Sequence, residues 1–128
     1  MLINGLTIRK GWEFDVIFRT GLRVQGELVR LLFLKKTGTQ PLEEQTGVRV
    51  GYAVGKRQGK AHVRNRGKRI LREAFWRLSP WVLPSVSLIA SLKDKALSAK
   101  ADEIYYDMAK VLKKAGLLKI DWPGAKWK

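Results

Sequence analysis

Several residue types are missing or scarce in this 128-residue chain, and each absence excludes a class of protein. There is no cysteine, which excludes a disulfide framework, a thiolate nucleophile and a zinc site with cysteine ligands. The single histidine, His62, is too few for a multi-histidine metal site. The longest apolar run, residues 31–34, is far shorter than the roughly 20 residues of a membrane-spanning helix. These absences predict a cytoplasmic protein with no membrane partner.

Acidic residues are also scarce. The chain has 11 Asp and Glu and 26 Lys and Arg, which gives a formal net charge of +15. Such a charge says little about the fold but indicates a polyanionic partner. Hydrophobic residues make up 45% of the chain, enough for a packed core. The length fits one domain.

The apolar patterns predict an α/β (α+β) two-layer sandwich of about four strands and three helices. Helices are predicted over residues 10–20, 62–78 and 99–115, and strands over 23–36 (broken near Gly26), 48–54 and 86–92. The strand at 48–54, the middle helix and the strand at 86–92 form a βαβ unit. We expect a single domain over residues 1–118 and a flexible tail over 119–128, where Pro123 and Gly124 interrupt the pattern.

The positive charge is concentrated in residues 56–77, which hold nine basic residues and one acid, Glu73. On a helix, the apolar residues of this segment cover one side and the basic ones spread over the other. Arg64 and Arg66 fall in the predicted first turn, where the helix dipole disfavours cations. A phosphate there would meet free amides and arginines together. This arrangement predicts a phosphate-binding surface, and the alternative is a merely solvated face.

The same segment resembles a known family. Residues 51–77, GYAVGKRQGKAHVRNRGKRILREAFWR, are similar to the signature of the bacterial ribonuclease P protein subunit. The match includes Arg64-Asn65-Arg66, Lys68-Arg69, Arg72-Glu73 and Phe75, continues upstream in Phe14-x-x-Ile17-Phe18-x-x-Gly21, and extends weakly over 113–118. The resemblance covers roughly residues 8–118.

The resemblance implies an α/β sandwich with a left-handed βαβ crossover, against the general handedness rule. It implies an accessory subunit of an endoribonuclease that matures the 5′ end of tRNA. A catalytic RNA would carry out the cleavage with Mg²⁺ held by RNA and substrate, without catalytic side chains from the protein. The partners would be that RNA and the single-stranded 5′ leader of precursor tRNA, with no small-molecule substrate.

Residue by residue, the resemblance implies two surfaces. The surface for the catalytic RNA would comprise Lys60, Arg64, Asn65, Arg66, Lys68, Arg69 and Arg72. The leader would lie in a cleft formed by Phe14 and Phe18 with Lys56 and Arg57 at its rim. Aromatic residues suit a leader of variable sequence, since every base can stack. The i, i+4 spacing of Phe14 and Phe18 equally fits a core position.

Three positions depart from the family pattern. The usual cleft aromatic on the following strand falls on Leu32 by spacing from Gly21, with Phe33 one residue later. Gly67 replaces an apolar residue of the motif helix, which should cost about 1 kcal/mol relative to alanine and loosen packing. Lys60 stands where asparagine is common, which adds a charge.

Two other functions are considered. A plain RNA-binding module, such as a ribosomal protein of similar topology, would not need Phe14 and Phe18 exposed opposite the sheet. An independent metal-dependent nuclease would need convergent carboxylates. The adjacent acidic pairs at 43–44 and 102–103 do not suggest such a cluster.

Overall fold

The computed structural model describes residues 5–7, 11–35, 48–55, 58–83 and 86–127. The elements are β1 (Gly5–Thr7), α1 (Gly11–Thr20), β2 (Leu22–Gln25), β3 (Val29–Lys35), β4 (Val48–Ala53), α2 (Ala61–Leu78), β5 (Val86–Leu92) and α3 (Ala101–Lys114). Single 3₁₀ turns follow α2 and β5. The predicted α/β architecture with three helices is confirmed, and the sheet has a fifth short strand, β1.

The sheet is mixed, with strand order β1-β4-β5-β3-β2. β2 and β3 form an antiparallel hairpin, and β3 pairs antiparallel with β5. β4 runs parallel to both β1 and β5, so β4, α2 and β5 form the predicted βαβ unit. The left-handedness of this crossover stays a prediction.

The helices pack against both faces of the sheet. Successive side chains of a strand point to opposite sides, so the contacts of neighbouring residues show which face each helix covers. Leu31 and Phe33 of β3 belong to the large core that includes residues of α2 and α3. The residue between them, Leu32, instead packs with Ile17 of α1 and Ile89 of β5. Among the residues that the structure describes, the sheet therefore carries α2 and α3 on one face and α1 alone on the other.

Asp107 of α3 connects that helix to the β2–β3 hairpin. Its buried carboxylate accepts hydrogen bonds from the backbone N–H groups of Glu27 (3.2 Å), Leu28 (2.9 Å) and Val29 (2.8 Å). Gly26 approaches the same carboxylate so closely that a Cβ at this position would lie 2.5 Å from Oδ2. This contact fixes the hairpin on α3.

The predicted flexible tail is packed, up to Trp127, against the rest of the molecule. The backbone N–H of Lys119 donates to the carbonyl of Trp81 at 2.7 Å, and that of Lys126 donates to the Tyr105 hydroxyl at 2.8 Å. The Trp127 ring lies 3.9 Å from the Arg77 guanidinium carbon. The sequence analysis expected a flexible tail from Pro123 and Gly124, whereas in the structure Trp122 and Trp127 pack this segment against the core.

No helix in the part of the chain that the structure describes is long and apolar enough to cross a membrane.

Candidate nucleic-acid interface

A groove of about 730 Å³ lies beside α1, on the face of the sheet opposite α2 and α3. α1 contributes one wall, β2 and β3 contribute the floor, and the segments after β4 and β5 close one end. The residues important for its chemistry are Phe18, Arg23, Arg30, Leu32, Lys93 and Asp94. The groove is thus an open channel with an aromatic wall and three basic side chains.

The two aromatic residues of α1 occupy different environments. Phe18 lines the groove and is 45% exposed, whereas Phe14 is half-buried against the cluster of Ile17, Leu32 and Ile89. Their ring centroids lie 6.4 Å apart with planes 25° from parallel. Phe18 therefore offers an open ring, and Phe14 supports it from the core.

The strand opposite α1 places Leu32, and not Phe33, in the groove. Phe33 is 3% exposed and points into the core on the other face of the sheet. The alternation of β3 decides this point, because Val29, Leu31 and Phe33 share one face and Arg30, Leu32 and Leu34 the other. The aliphatic side chain of Leu32 therefore occupies the position where the resemblance leads us to expect an aromatic residue.

Three basic residues of the groove were missed by the sequence analysis: Arg23, Arg30 and Lys93. Arg23 pairs with Leu32 across the hairpin, and Arg30 pairs with Ser91 of β5, so both lie on the groove face. The period-two pattern of residues 29–34 could have located Arg30. The strand pairing that brings Arg23 and Lys93 beside it was not visible in the sequence. Lys56 and Arg57, predicted at the rim, lie outside the described residues.

Gln58 fixes the loop between the groove and α2. Its Nε2 donates to the carbonyl of Leu92 and to Oδ1 of Asp94, both at 2.9 Å. Its Oε1 accepts a hydrogen bond from the backbone N–H of Gly55 at 2.9 Å. Gly55 and Gln58 also line the groove, so the groove ends next to the start of α2.

The start of α2 suits an anion. Lys60 is the N-cap residue, its side chain makes no capping hydrogen bond, and the first turn contains no acidic residue. The helix begins at Ala61, one residue before the predicted start, so Arg64 ends the first turn and Arg66, predicted in the first turn, lies in the second. The positive end of the dipole therefore meets cations alone, which favours a bound phosphate.

The residues of α2 that are predicted to bind RNA lie on different sides of the helix. Arg64, Lys68 and Arg72 follow one another at four-residue spacing along the side next to β4, where the Arg72 guanidinium lies 5.8 Å from the Tyr52 ring. Asn65 and Arg69 are exposed on the outer side. The Nε of Arg64 is buried and has no hydrogen-bond partner among the described residues. These five form a continuous exposed or half-exposed polar surface that continues from Lys60.

Arg66 is exposed but already holds part of the fold together. Its Nη1 donates to the carbonyl of Leu97 at 3.1 Å, and its Nη2 donates to the carbonyl of Ala99 at 3.3 Å. Arg66 therefore fastens α2 to the segment before α3, and its role differs from that of Arg69.

Gly67 allows α2 to approach the sheet closely. A Cβ here would lie 3.1 Å from Cδ1 of Leu92 and 3.3 Å from Cγ2 of Val54. The expected loosening of packing at this position is wrong, because the missing side chain is compensated by a closer contact between helix and sheet.

Tyr52 faces the same side of the sheet as α2. Burial raises the pKa of Tyr52 to about 12, and the nearby Arg72 charge opposes part of that rise. The phenol therefore stays neutral at physiological pH.

The described residues contain no group of three or more His, Cys, Asp or Glu that could hold a metal ion. Their donor set does not fit a dedicated protein metal site, and no chemical step is assigned to one.

The fold, the cationic groove and the arginine-rich helix beside it define an RNA-binding α/β protein. The sequence profile of the family described as Ribonuclease P matches residues 3–116, and the chain belongs to this family. It is 30% identical over 112 residues to the ribonuclease P protein component of Oceanobacillus iheyensis, covering 88% of each chain.

Solved structures show the same fold. The chain superposes on the ribonuclease P protein of Staphylococcus aureus with a TM-score of 0.73 and 24% identity, covering 88% of this chain and 97% of that chain. It superposes on the protein of Thermotoga maritima with a TM-score of 0.70 and 25% identity, covering 84% and 96%. The chain is therefore the protein component of an endoribonuclease that acts in tRNA processing and works with an RNA subunit. The ribosomal-protein alternative finds no support.

Proposed function

We propose that this protein binds the catalytic RNA through α2 and holds the 5′ leader of precursor tRNA in the groove beside α1. The observation that carries the proposal is the exposed Phe18 ring in a groove with Arg23, Arg30 and Lys93. An aromatic face stacks on a base of any sequence, and the cations attract the phosphates on either side of it. A single-stranded leader of variable sequence needs this combination.

The groove favours phosphate contacts over repeated stacking. Leu32 provides no aromatic surface, so Phe18 is the aromatic side chain that lines the groove. The three basic residues face one acid, Asp94, whose carboxylate already accepts a hydrogen bond from Gln58. The leader is therefore held by one stacked base and by several backbone contacts.

The exposed part of the α2 surface binds the second RNA. It comprises Lys60, Arg64, Asn65, Lys68, Arg69 and Arg72, while Arg66 contributes charge and positions the helix. Because the groove ends beside Gly55 and Gln58, a leader leaving the groove reaches the RNA bound at α2. This continuity supports a role in aligning substrate with the catalytic RNA.

Catalysis itself is assigned to the RNA. Mg²⁺ held by RNA and substrate phosphates would activate the attacking water and stabilise the leaving oxygen. The protein contributes binding and orientation, and the absence of cysteine fits the cytoplasmic location that we propose.

A reconstituted cleavage assay tests this proposal. Precursor tRNA is incubated with protein alone, catalytic RNA alone and both together, over a range of Mg²⁺ concentrations. We expect no cleavage by the protein alone and stronger cleavage with both components than with RNA alone at low Mg²⁺. Cleavage by the purified protein at any Mg²⁺ concentration would contradict the assignment.

A further inference from the structure

A second pocket, of about 440 Å³, lies at the other end of α2 between the last helical turn, the 3₁₀ turn that follows it and the C-terminal segment. Three of the five tryptophans of the chain line it: Trp76, Trp81 and Trp122. Each is half-buried and keeps part of its surface open. The family match ends at residue 116, so the wall formed by Trp122 and Lys126 lies outside the matched region.

The wall contributed by the C-terminal segment is fixed in place. The backbone N–H groups of Lys126 and Trp127 donate to the hydroxyls of Tyr105 (2.8 Å) and Tyr106 (3.2 Å) of α3. The Trp127 ring packs 5.5 Å from Tyr105 and lies over the Arg77 guanidinium. The pocket is therefore preformed, which lowers the entropic cost of binding a ligand.

The chemistry of the pocket is aromatic and cationic. Arg77 and Lys126 line it, and none of its lining residues is acidic. Glu73 pairs with the lining residue Arg77 at 3.2 Å, and Asp121 precedes Trp122 in the chain. Indole faces with positive charge at the edge are the arrangement that binds a base and its phosphate.

We propose that this pocket binds an unstacked base of single-stranded RNA, as a contact separate from the groove and from the start of α2. Its volume lies within the roughly 300–1,000 Å³ of pockets that hold small ligands. A proline-rich peptide also binds aromatic grooves, but the net charge of +15 favours a polyanion. The 18 residues of α2 place the two ends of the helix about 27 Å apart, so this contact extends the RNA-binding surface to the far end of α2.

The indole N–H signals in a ¹H–¹⁵N correlation spectrum provide a direct test on the full chain. The five indole signals are assigned by single Trp→Phe substitutions, and the protein is titrated with a short single-stranded oligoadenylate. The titration is repeated with Phe18→Ala, which weakens binding in the groove. We expect the signals of Trp76, Trp81 and Trp122 to shift in both proteins with a common dissociation constant.

A variant pair then measures the contribution of stacking. In the Phe18→Ala background, Trp122→Leu keeps an apolar side chain but removes the indole, so affinity for the oligoadenylate should fall about 5- to 150-fold, the value expected for one stacked base. Trp122→Phe should recover part of the loss. Ile120→Ala is the matched control, because Ile120 is fully exposed in the same segment and does not line the pocket.

The outcomes separate the possible occupants. Unmoved Trp76, Trp81 and Trp122 signals at saturating oligoadenylate overturn the proposal. So do shifts caused by a proline-rich peptide but not by RNA. A folded Trp122→Leu protein with unchanged affinity also overturns it. Because the spectra are recorded on proteins that retain Trp122, a variant that fails to fold leaves the test intact. Failure here leaves leader binding in the groove untouched, since that depends on Phe18.

Discussion

Replacing Phe18 by alanine separates leader binding from folding. A fully buried Phe→Ala change costs about 3–5 kcal/mol of stability. Because Phe18 is 45% exposed, we expect roughly half of this, about 2 kcal/mol, from a loss of contact area in proportion to its burial. The variant should stay folded with a melting temperature lowered by several degrees.

The effect on the substrate should be larger in binding than in stability. Loss of one base–aromatic stack costs about 1–3 kcal/mol, or roughly 5- to 150-fold in affinity. Mature tRNA has no leader and does not make this contact, so its affinity should not depend on Phe18. Affinity of the assembled enzyme for precursor tRNA should therefore fall within this range, while affinity for mature tRNA and for the catalytic RNA stays within about twofold, a small change on this scale.

The assay measures the ratio of precursor to mature tRNA affinity of the reconstituted enzyme, together with a thermal melt of each protein. Val16→Ala is the matched control, because Val16 lies on the same helix, is 40% exposed and does not line the groove. An unchanged ratio in folded Phe18→Ala protein would refute the placement of the leader beside this ring, and the residue would then serve only packing.

Three further predictions concern the rest of the surface and the core. Arg69→Ala should weaken RNA binding and reduce the slope of log K against log salt by about 0.7–0.9, without a change in melting temperature. Arg66→Ala should lower RNA affinity and also the melting temperature, because it removes two hydrogen bonds to the segment before α3. Equal melting temperatures of the two variants would contradict this distinction. Asp107→Ala should cost at least about 2 kcal/mol in chemical denaturation because three backbone donors lose their acceptor, and Asp107→Asn should cost less. The raised pKa of Tyr52, about 12, favours the folded state while the phenol is neutral, so this stability is complete below pH 10 and is lost as the pH rises to 12. Tyr52→Phe should remove that part of the alkaline loss, and denaturation curves at several pH values measure the difference.

The sequence was sufficient for the elements with strong periodicity. The pattern of residues 62–78 predicted α2 within one residue, and the alternation of 48–54 predicted β4, since local patterns determine which residues face the core. The class of partner followed from charge, and the motif around Arg64 indicated the family that the comparisons confirm.

Contacts between distant parts of the chain could not be predicted in this way. The groove charges Arg23, Arg30 and Lys93 come together only because β2, β3 and β5 pair in register. β1 is too short, at three residues, to give a periodic signal. The packed C-terminal segment depends on hydroxyls of Tyr105 and Tyr106, which are 21 residues away along the chain.

The central claim is that the leader occupies the groove beside α1, and crosslinking from the leader tests it most directly. A photoreactive thiouridine is placed at successive leader positions of precursor tRNA, the substrate is bound to the reconstituted enzyme, and crosslinked peptides are identified by mass spectrometry. We predict crosslinks to α1 and the β2–β3 hairpin, centred on Phe18, Arg23 and Arg30. Unlabelled precursor tRNA should compete these crosslinks away. Mature tRNA, which has no leader, should do so only at a much higher concentration. Crosslinks confined to α2, or to the far end of the molecule at Trp122, would contradict the account.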